Sequence, residues 1–510
     1  MLSVVAVRPL DIVVIALYLA GMAAIAVYFG RRNTSTEEYF VGNRSFSGPT
    51  LGLSLMATSV SSVAFLAFPA AAYADDFRDL VINLTLPIGV LLAVVVFIPL
   101  FRRGKTTSAY EYLGARYGVI IRLYGTFSFM IMRLCWLGIV LCLISNLIVV
   151  LTGWPMVPVI IATGLFVALY TVIGGIDAVI WTDVIQSIVL LLGGIVTVVY
   201  LTAQIPGGLA QVFEVGLAEG KFGLGEMEWS FTNRSFWAAL TLGIFAWAAY
   251  HADQNIVQRY LAARSTREAR KATIIYGAIV LPTWAYFFFV GTCLFVYFQV
   301  FPDTVVSRLS DEQHFEQVYP HFILTRLPPG IAGLVVAGVI SAAMSSVDST
   351  LNAVSTVTVI DVVKPHLAPG RSDRFYLNTA RTVAVAAAVI MITVAVVLSQ
   401  IPTKTINELD WAIGSIFAGC LMGLFVLGFF TTRVDNVAAL VGLTVAVLLN
   451  LYLVLGVIGW LPRAITCPVH KFWIGPIVNV TFLVVAYGTS WRRHRKKEPL
   501  TGLTVWTAGE

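Results

Sequence analysis

Ser341-Ala342-Ala343-Met344-Ser345-Ser346-Val347-Asp348-Ser349, with Asn352 just beyond, lies inside an apolar run from about 329 to 356. At helical spacing Ser341, Ser345, Asp348, Ser349 and Asn352 share one face. A stripe of hydroxyls around one carboxylate is costly to bury in hydrocarbon, so its residues are candidates for binding. Small side chains also let helices approach closely, which is the bland reading of the same stripe. A second polar stretch, Ala57-Thr58-Ser59-Val60-Ser61-Ser62, interrupts the apolar run 48–75, with Gly52 before it and Pro69 after. Ser and Thr bond nearby backbone and compete with the helix ladder, so this stretch predicts a break. A break frees carbonyl oxygens, good ligands for a hard cation such as sodium; ordinary interhelical hydrogen bonding is the alternative.

Outward from these stretches the chain reads as lipid-soluble. It has 510 residues, 58% hydrophobic and 12% charged, with mean hydropathy +0.86. Soluble domains carry roughly 25% charged residues, so too few charges remain to cover a soluble body of this size. A helix needs about 20 apolar residues to cross a bilayer. Such runs fall near 10–30, 48–75, 79–101, 119–152, 156–175, 178–203, 235–252, 272–300, 329–356, 376–400, 408–431, 435–461 and 472–491. The fold class is therefore an all-α integral membrane protein of about thirteen transmembrane helices, since lipid demands backbone bonding within each segment. Of the 33 lysines and arginines, most fall on alternate loops, including Arg31, Arg32, Arg102, Arg103, Lys105, the Arg259–Lys271 group and Arg492–Lys497. That bias puts the N-terminus outside and the C-terminus in the cytoplasm. The clusters follow membrane topology, so the net charge of +6 does not argue for nucleic acid.

The first run lacks a basic n-region and is followed at once by Arg31 and Arg32, which reads as a retained span rather than a signal peptide. The excursions 204–234 and 301–327 are too small for an enzyme domain. The five cysteines form no CxxC pair and serve packing. Neither a serine–histidine–acid arrangement, a phosphate loop nor a histidine metal cluster is present, so no enzyme is expected. His251, near the end of the seventh run, reads as a gate or packing residue. Two further charges stand inside apolar runs. Asp183, in Trp181-Thr182-Asp183-Val184-Ile185-Gln186, is either an ion ligand or a helix-start carboxylate facing cytoplasmic water. Arg133 lies ~16 Å beyond Arg122 along a helix, too deep to snorkel. Its planar fork suits a solute carboxylate or a structural partner such as Asp183, Asp348 or a carbonyl.

Further pieces then appear in order: Thr36–Arg44 after the first run, Thr107–Leu113 after the third, Gly174-Gly175, Trp181–Gln186, Asp253–Leu261 and the serine stripe through Asn352. Together they resemble the sodium/solute symporter family, the group of sodium/glucose, proline, iodide, monocarboxylate and sialic acid transporters. The resemblance runs from about Leu10 to the tail. It implies a LeuT-like fold with two inverted five-helix repeats and alternating access. The first repeat would be 48–203 and the second 235–431. The remainder would be an N-terminal span and loop (1–47), an external loop (204–234), two C-terminal spans (432–491) and a cytoplasmic tail (492–510). Each repeat would open with a broken helix, at Thr58–Ser62 and near Phe245–His251. Sites at such breaks, close to the midplane, are the general expectation for these carriers.

By this resemblance a sodium site falls on the carbonyls of Ala57, Val60 and Ala342 and the hydroxyls of Ser345 and Ser346. A second sodium site would use Ser345, Asp348, Ser349 and Asp183. Asp348 stands there where the family pattern has serine, so the extra carboxylate would tighten the ion or take a proton. The residue after Val63 is Ala64 where sugar carriers are polar, which argues against a sugar. Arg133 argues for an anion, a sugar acid or a monocarboxylate, with Ser61, Ser62, Asn83 and Tyr250 beside it. The function expected is sodium-coupled import of a small polar solute across a cell membrane, by a monomer or weak homo-oligomer. A proton-coupled carrier and a membrane solute sensor are the rival readings.

Overall fold

The computed structural model describes residues 8–30, 35–104, 106–401, 414–416, 419–491 and 500–507. Arg31, Arg32, Lys105, the basic group 492–497 and the first part of the run 408–431 lie outside the described residues. Among those described, nine helices are long and apolar enough to cross a membrane, and Gly48–Ser59 with Ser62–Ala74 makes a further, bent pair. Shorter apolar helices, Met156–Leu169, Phe236–Tyr250 and Leu421–Phe430, fall at three other runs read from the sequence.

Burial orders these helices. Ile331–Val357 carries the serine stripe and is the central one, with every residue from Val335 to Val357 buried. Pro9–Gly30 is the opposite case, only 11% buried over its most apolar window, so Leu10, Ile12, Val13 and Leu17 face lipid. It is held by Asp11, whose carboxylate accepts from the backbone N–H of Gly330 at 2.7 Å and of Gly333 at 2.8 Å. Those are orphan amides at the start of the central helix.

Three breaks shape the interior. Gly48–Ser59 and Ser62–Ala74 meet at 57°, with Val60 and Ser61 out of helical conformation (ψ 86° and 175°). The hydroxyls act as their chemistry dictates: Thr58 Oγ1 donates to the Ser54 carbonyl and Ser59 Oγ to that of Leu55, both at 2.8 Å. The long helix Met156–Gln204 is kinked at Gly175 (φ 61°, ψ −168°), backbone that only glycine adopts freely. Phe236–Tyr250 ends in a turn at His251, and Gln254–Ala262 begins behind the N-cap Asp253. The sequence predicts this second break near Phe245–His251 and counts Arg259 among the basic residues on the cytoplasmic side. In the structure the break comes at 251–253, and every residue of Gln254–Ala262 is buried, so this segment is interior helix. Its many polar side chains had made it read as loop.

The inner half-helix is tied on several sides. Gln254 accepts from the Ala109 amide at 2.8 Å and donates to the Thr107 carbonyl. Gln258 Nε2 donates to Phe40 O at 2.6 Å and to Asn352 Oδ1 at 2.7 Å. Nearby, Asp361 accepts from Ser108 at 2.6 Å and pairs with Arg122 at 2.7 Å. At the same end of the bundle, Leu500–Thr507 folds back: Tyr112 Oη donates to Leu503 O, Val505 N to Phe429 O and Trp506 Nε1 to Phe430 O. The segment between Val300 and Ile331 forms a cap of two short helices, Thr304–Asp311 and Val318–Arg326. Asp303 accepts there from Arg326 at 2.8 Å and faces His321 at 3.3 Å.

Candidate ion and solute site at the broken helices

The first break and the central helix converge. The break at Ser61 removes the amide that would have bonded the carbonyl of Ala57. Ser345 Oγ donates to that carbonyl instead, at 2.8 Å, and lies 3.2 Å from Ala342 O. Ser346 Oγ reaches Ala342 O at 3.3 Å. Ala57, Val60, Ala342 and Ser345 are buried to within 1% and Ser346 to within 4%. These are the oxygens the sequence reading grouped as a sodium site. Hydrogen bonds join Ala57, Ala342, Ser345 and Ser346, while Val60 stands in the break itself. Uncharged oxygens with no guanidinium among them suit a hard, weakly held monovalent cation.

Beside it lies a charged knot. Asp183, which the sequence left open to cytoplasmic water, is fully buried, eight residues beyond the Gly175 kink. Arg259 is fully buried too. Its Nη2 donates to Asp183 Oδ2 at 2.7 Å and Ser349 Oγ at 2.6 Å, Nε to Ser54 Oγ at 2.7 Å, and Nη1 to Asn255 O at 2.7 Å. Ser54 donates to the same carboxylate oxygen of Asp183. Asp348 Oδ1 accepts from the Ser349 amide at 2.7 Å. Asp183 and Ser349 are thus brought together through Arg259, the residue that sequence reasoning missed, with Asp348 next to Ser349 in the chain. Its signal was present: Asp253 as N-cap followed by Asn255 and Arg259, four apart on one helix face.

Arg133 does not pair with Asp183 or Asp348. Its Nη2 and Nε donate to Asp253 Oδ2 at 2.7 and 3.2 Å. A cavity of about 90 Å³ brings Arg133, Ser61 and Tyr250 together with Thr58, Ser346 and Thr350. Tyr250 Oη and Ser59 Oγ share a hydrogen bond at 2.6 Å on its wall. Ser62 and Asn83 are buried outside that lining, Ser62 Oγ without a hydrogen-bond partner. His251 is a packing residue here, its Nδ1 2.6 Å from the Tyr260 hydroxyl.

Two broken helices opposed across a central polar site define an alternating-access secondary transporter. The family model described as the sodium:solute symporter family matches residues 39–446, and the chain belongs to that family. It is 32% identical to the sodium/sialic acid symporter of Proteus mirabilis over 84% of this chain and 86% of that one. It is 28% identical to the human sodium-coupled monocarboxylate transporter 1 over 88% of this chain and 73% of that one. A solved substrate-bound, outward-open structure of a Na+-coupled sialic acid symporter superposes with TM-score 0.86 at 29% identity, covering 96% of this chain and all of the other. The nucleobase-cation transporter Mhp1, at 17% identity and TM-score 0.56, shares the fold. The protein is a LeuT-like membrane carrier that couples a small polar solute to sodium, and it is not an enzyme.

Proposed function

We propose that the carried solute is a sugar acid of the sialic acid type, moved inward with sodium. Sodium would bind the carbonyls of Ala57, Val60 and Ala342 and the hydroxyls of Ser345 and Ser346. The solute would lie in the adjoining cavity, its carboxylate on Arg133 and its hydroxyls near Ser61 and Tyr250, with Ser62 and Asn83 behind them. The observation carrying this reading is the cavity itself, whose lining includes both Arg133 and Ser346. An anion and a cation bound that close stabilise each other in a medium of low dielectric, so each ligand should tighten the other. The Proteus mirabilis relative and the solved sialic acid symporter structure support the solute class.

A second ion would have to use Asp183 Oδ1, the oxygen without a hydrogen-bond partner, because Oδ2 is held by Arg259. Asp348 and Ser349 would complete that site. The chain would sit in the cell membrane with its C-terminus cytoplasmic and work as a monomer or weak homo-oligomer. One charge crossing 100 mV is worth about 2.3 kcal/mol, so two sodium ions would support a solute gradient on the order of 10³. The test is thermal stability of the purified protein against sugars, sugar acids, monocarboxylates and amino acids, in sodium and then in potassium. A shift that needs both sodium and N-acetylneuraminate supports the reading. Equal behaviour in the two salts, or a sodium-dependent shift with an amino acid alone, contradicts it.

A further inference from the structure

Besides a cavity of about 350 Å³ lined with Trp136, Gly475 and Asn479, Arg133 stands in the walls of two cavities that also include Tyr250. One is the central cavity of Ser61, Ser346 and Thr350. The other, about 260 Å³, is lined by Tyr110, Asp253, Leu421 and Phe425 as well as Arg133 and Tyr250. The partition between them is therefore Tyr250 and the Arg133–Asp253 pair. Tyr110 belongs to the Ala109–Tyr117 helix, at the end of the bundle where Arg116 bonds Thr431 O and the Leu500–Thr507 segment docks. The second cavity thus lies on the side that the charge bias assigns to the cytoplasm.

Asp253 uses its two oxygens differently. Oδ1 caps the inner half-helix, accepting from the Asn255 amide at 2.9 Å. Oδ2 holds both the Nε and Nη2 of Arg133. One carboxylate therefore ties the Val119–Thr152 helix, which carries Arg133, to the first turn of Gln254–Ala262. Arg133 is only 16% exposed and Asp253 9%, so a pair in this setting is weakly screened.

We infer that Asp253 is an internal stand-in for the solute's carboxylate: it holds Arg133 and keeps the inner partition shut until an anionic solute draws on the same guanidinium. One positive charge would then face two carboxylates. The tie to Asp253 weakens, and the inner half-helix is freed to move. This makes Asp253 a positioning residue that couples solute arrival to inner opening. It rests on the anionic-solute reading for its trigger, but the lock itself does not.

The test uses the full chain in liposomes with two readouts: sodium entry without solute, and sodium-driven uptake of labelled N-acetylneuraminate. Asp253→Asn keeps a good helix cap and removes the charge. It should raise solute-free sodium entry at least threefold and lower the KM for N-acetylneuraminate at least threefold. Asp253→Glu should restore both. Arg133→Gln breaks the tie from the other side, so it should leak like Asp253→Asn while losing uptake. Unchanged sodium entry in both Asp253→Asn and Arg133→Gln, each with wild-type thermal stability, would overturn the lock. If the wild type carries no N-acetylneuraminate but both variants leak, the sugar-acid reading fails and the lock stands. A lower KM without any leak would also overturn it, because the pair would then only mask Arg133.

Discussion

Replacing Arg259 by Met tests the charged knot behind the ion site. The side chain makes four hydrogen bonds, at 2.6–2.7 Å, to Asp183, Ser349, Ser54 and Asn255, and neither it nor Asp183 has any exposure. Met fills most of the volume but leaves the Asp183 carboxylate buried beside the Ser54 hydroxyl that donates to it. Removing one partner of a buried pair costs about 3–5 kcal/mol, while replacing both by apolar groups is often close to neutral. The double variant Asp183→Leu/Arg259→Met should therefore regain most of that loss, with a coupling energy of about 2 kcal/mol or more. The assay is unfolding of the four proteins of this cycle in one detergent, followed by tryptophan fluorescence. Additive effects, or an Arg259→Met variant as stable as the parent, would refute the reasoning. The two variants that lack Arg259 should transport poorly, because Ser349 and Ser54 lose their partner beside the site.

Ser345→Ala removes the hydroxyl from the Ala57 carbonyl and should raise the sodium KM about tenfold, equivalent to ~1.4 kcal/mol, with Ser345→Thr affected less; sodium titration of uptake checks this. Gly291→Ala would drive a methyl carbon into the Pro69 carbonyl oxygen, so the two helices must part, and thermal stability should fall by about 1–3 kcal/mol. In the cap, burial acts to raise the Asp303 carboxyl, but hydrogen bonds from His321, the Val305 amide and Arg326 outweigh it and hold it below its ordinary value. The stability it supplies is full above the ordinary value of about 3.9 and is lost as pH falls through the lower folded value. Proteolysis of the cap between pH 5 and 3 should accelerate for the wild type and change less for Asp303→Asn. Tyr112→Phe leaves the Leu503 carbonyl without its donor at about 1 kcal/mol, and amide exchange in Leu500–Thr507 should rise.

Much of this was legible because lipid leaves few options. Apolar length marked the spans, and the hydroxyl-rich 57–62 stretch marked the break, since Thr58 and Ser59 turn on their own backbone as such residues do. The serine stripe marked the central helix because polar groups in lipid must find partners inside the bundle. What stayed hidden was pairing. Nothing in the spacing says that Arg133 meets Asp253, 120 residues away, rather than Asp183 or Asp348. Arg259 was misread for a related reason: a half-helix with Gln254, Asn255, Gln258 and Arg259 is too polar to look interior. It is interior because the same side chains bond Thr107, Phe40, Asn352 and Asp183. Polar content alone does not distinguish a loop from a buried network.

Uptake of labelled N-acetylneuraminate into liposomes, driven in turn by a sodium gradient and by a proton gradient, tests the central claim most directly. The account predicts accumulation above the outside concentration with the sodium gradient alone, reduced by Arg133→Gln and made less sensitive to sodium by Ser345→Ala. Accumulation that needs the proton gradient and ignores sodium would contradict it.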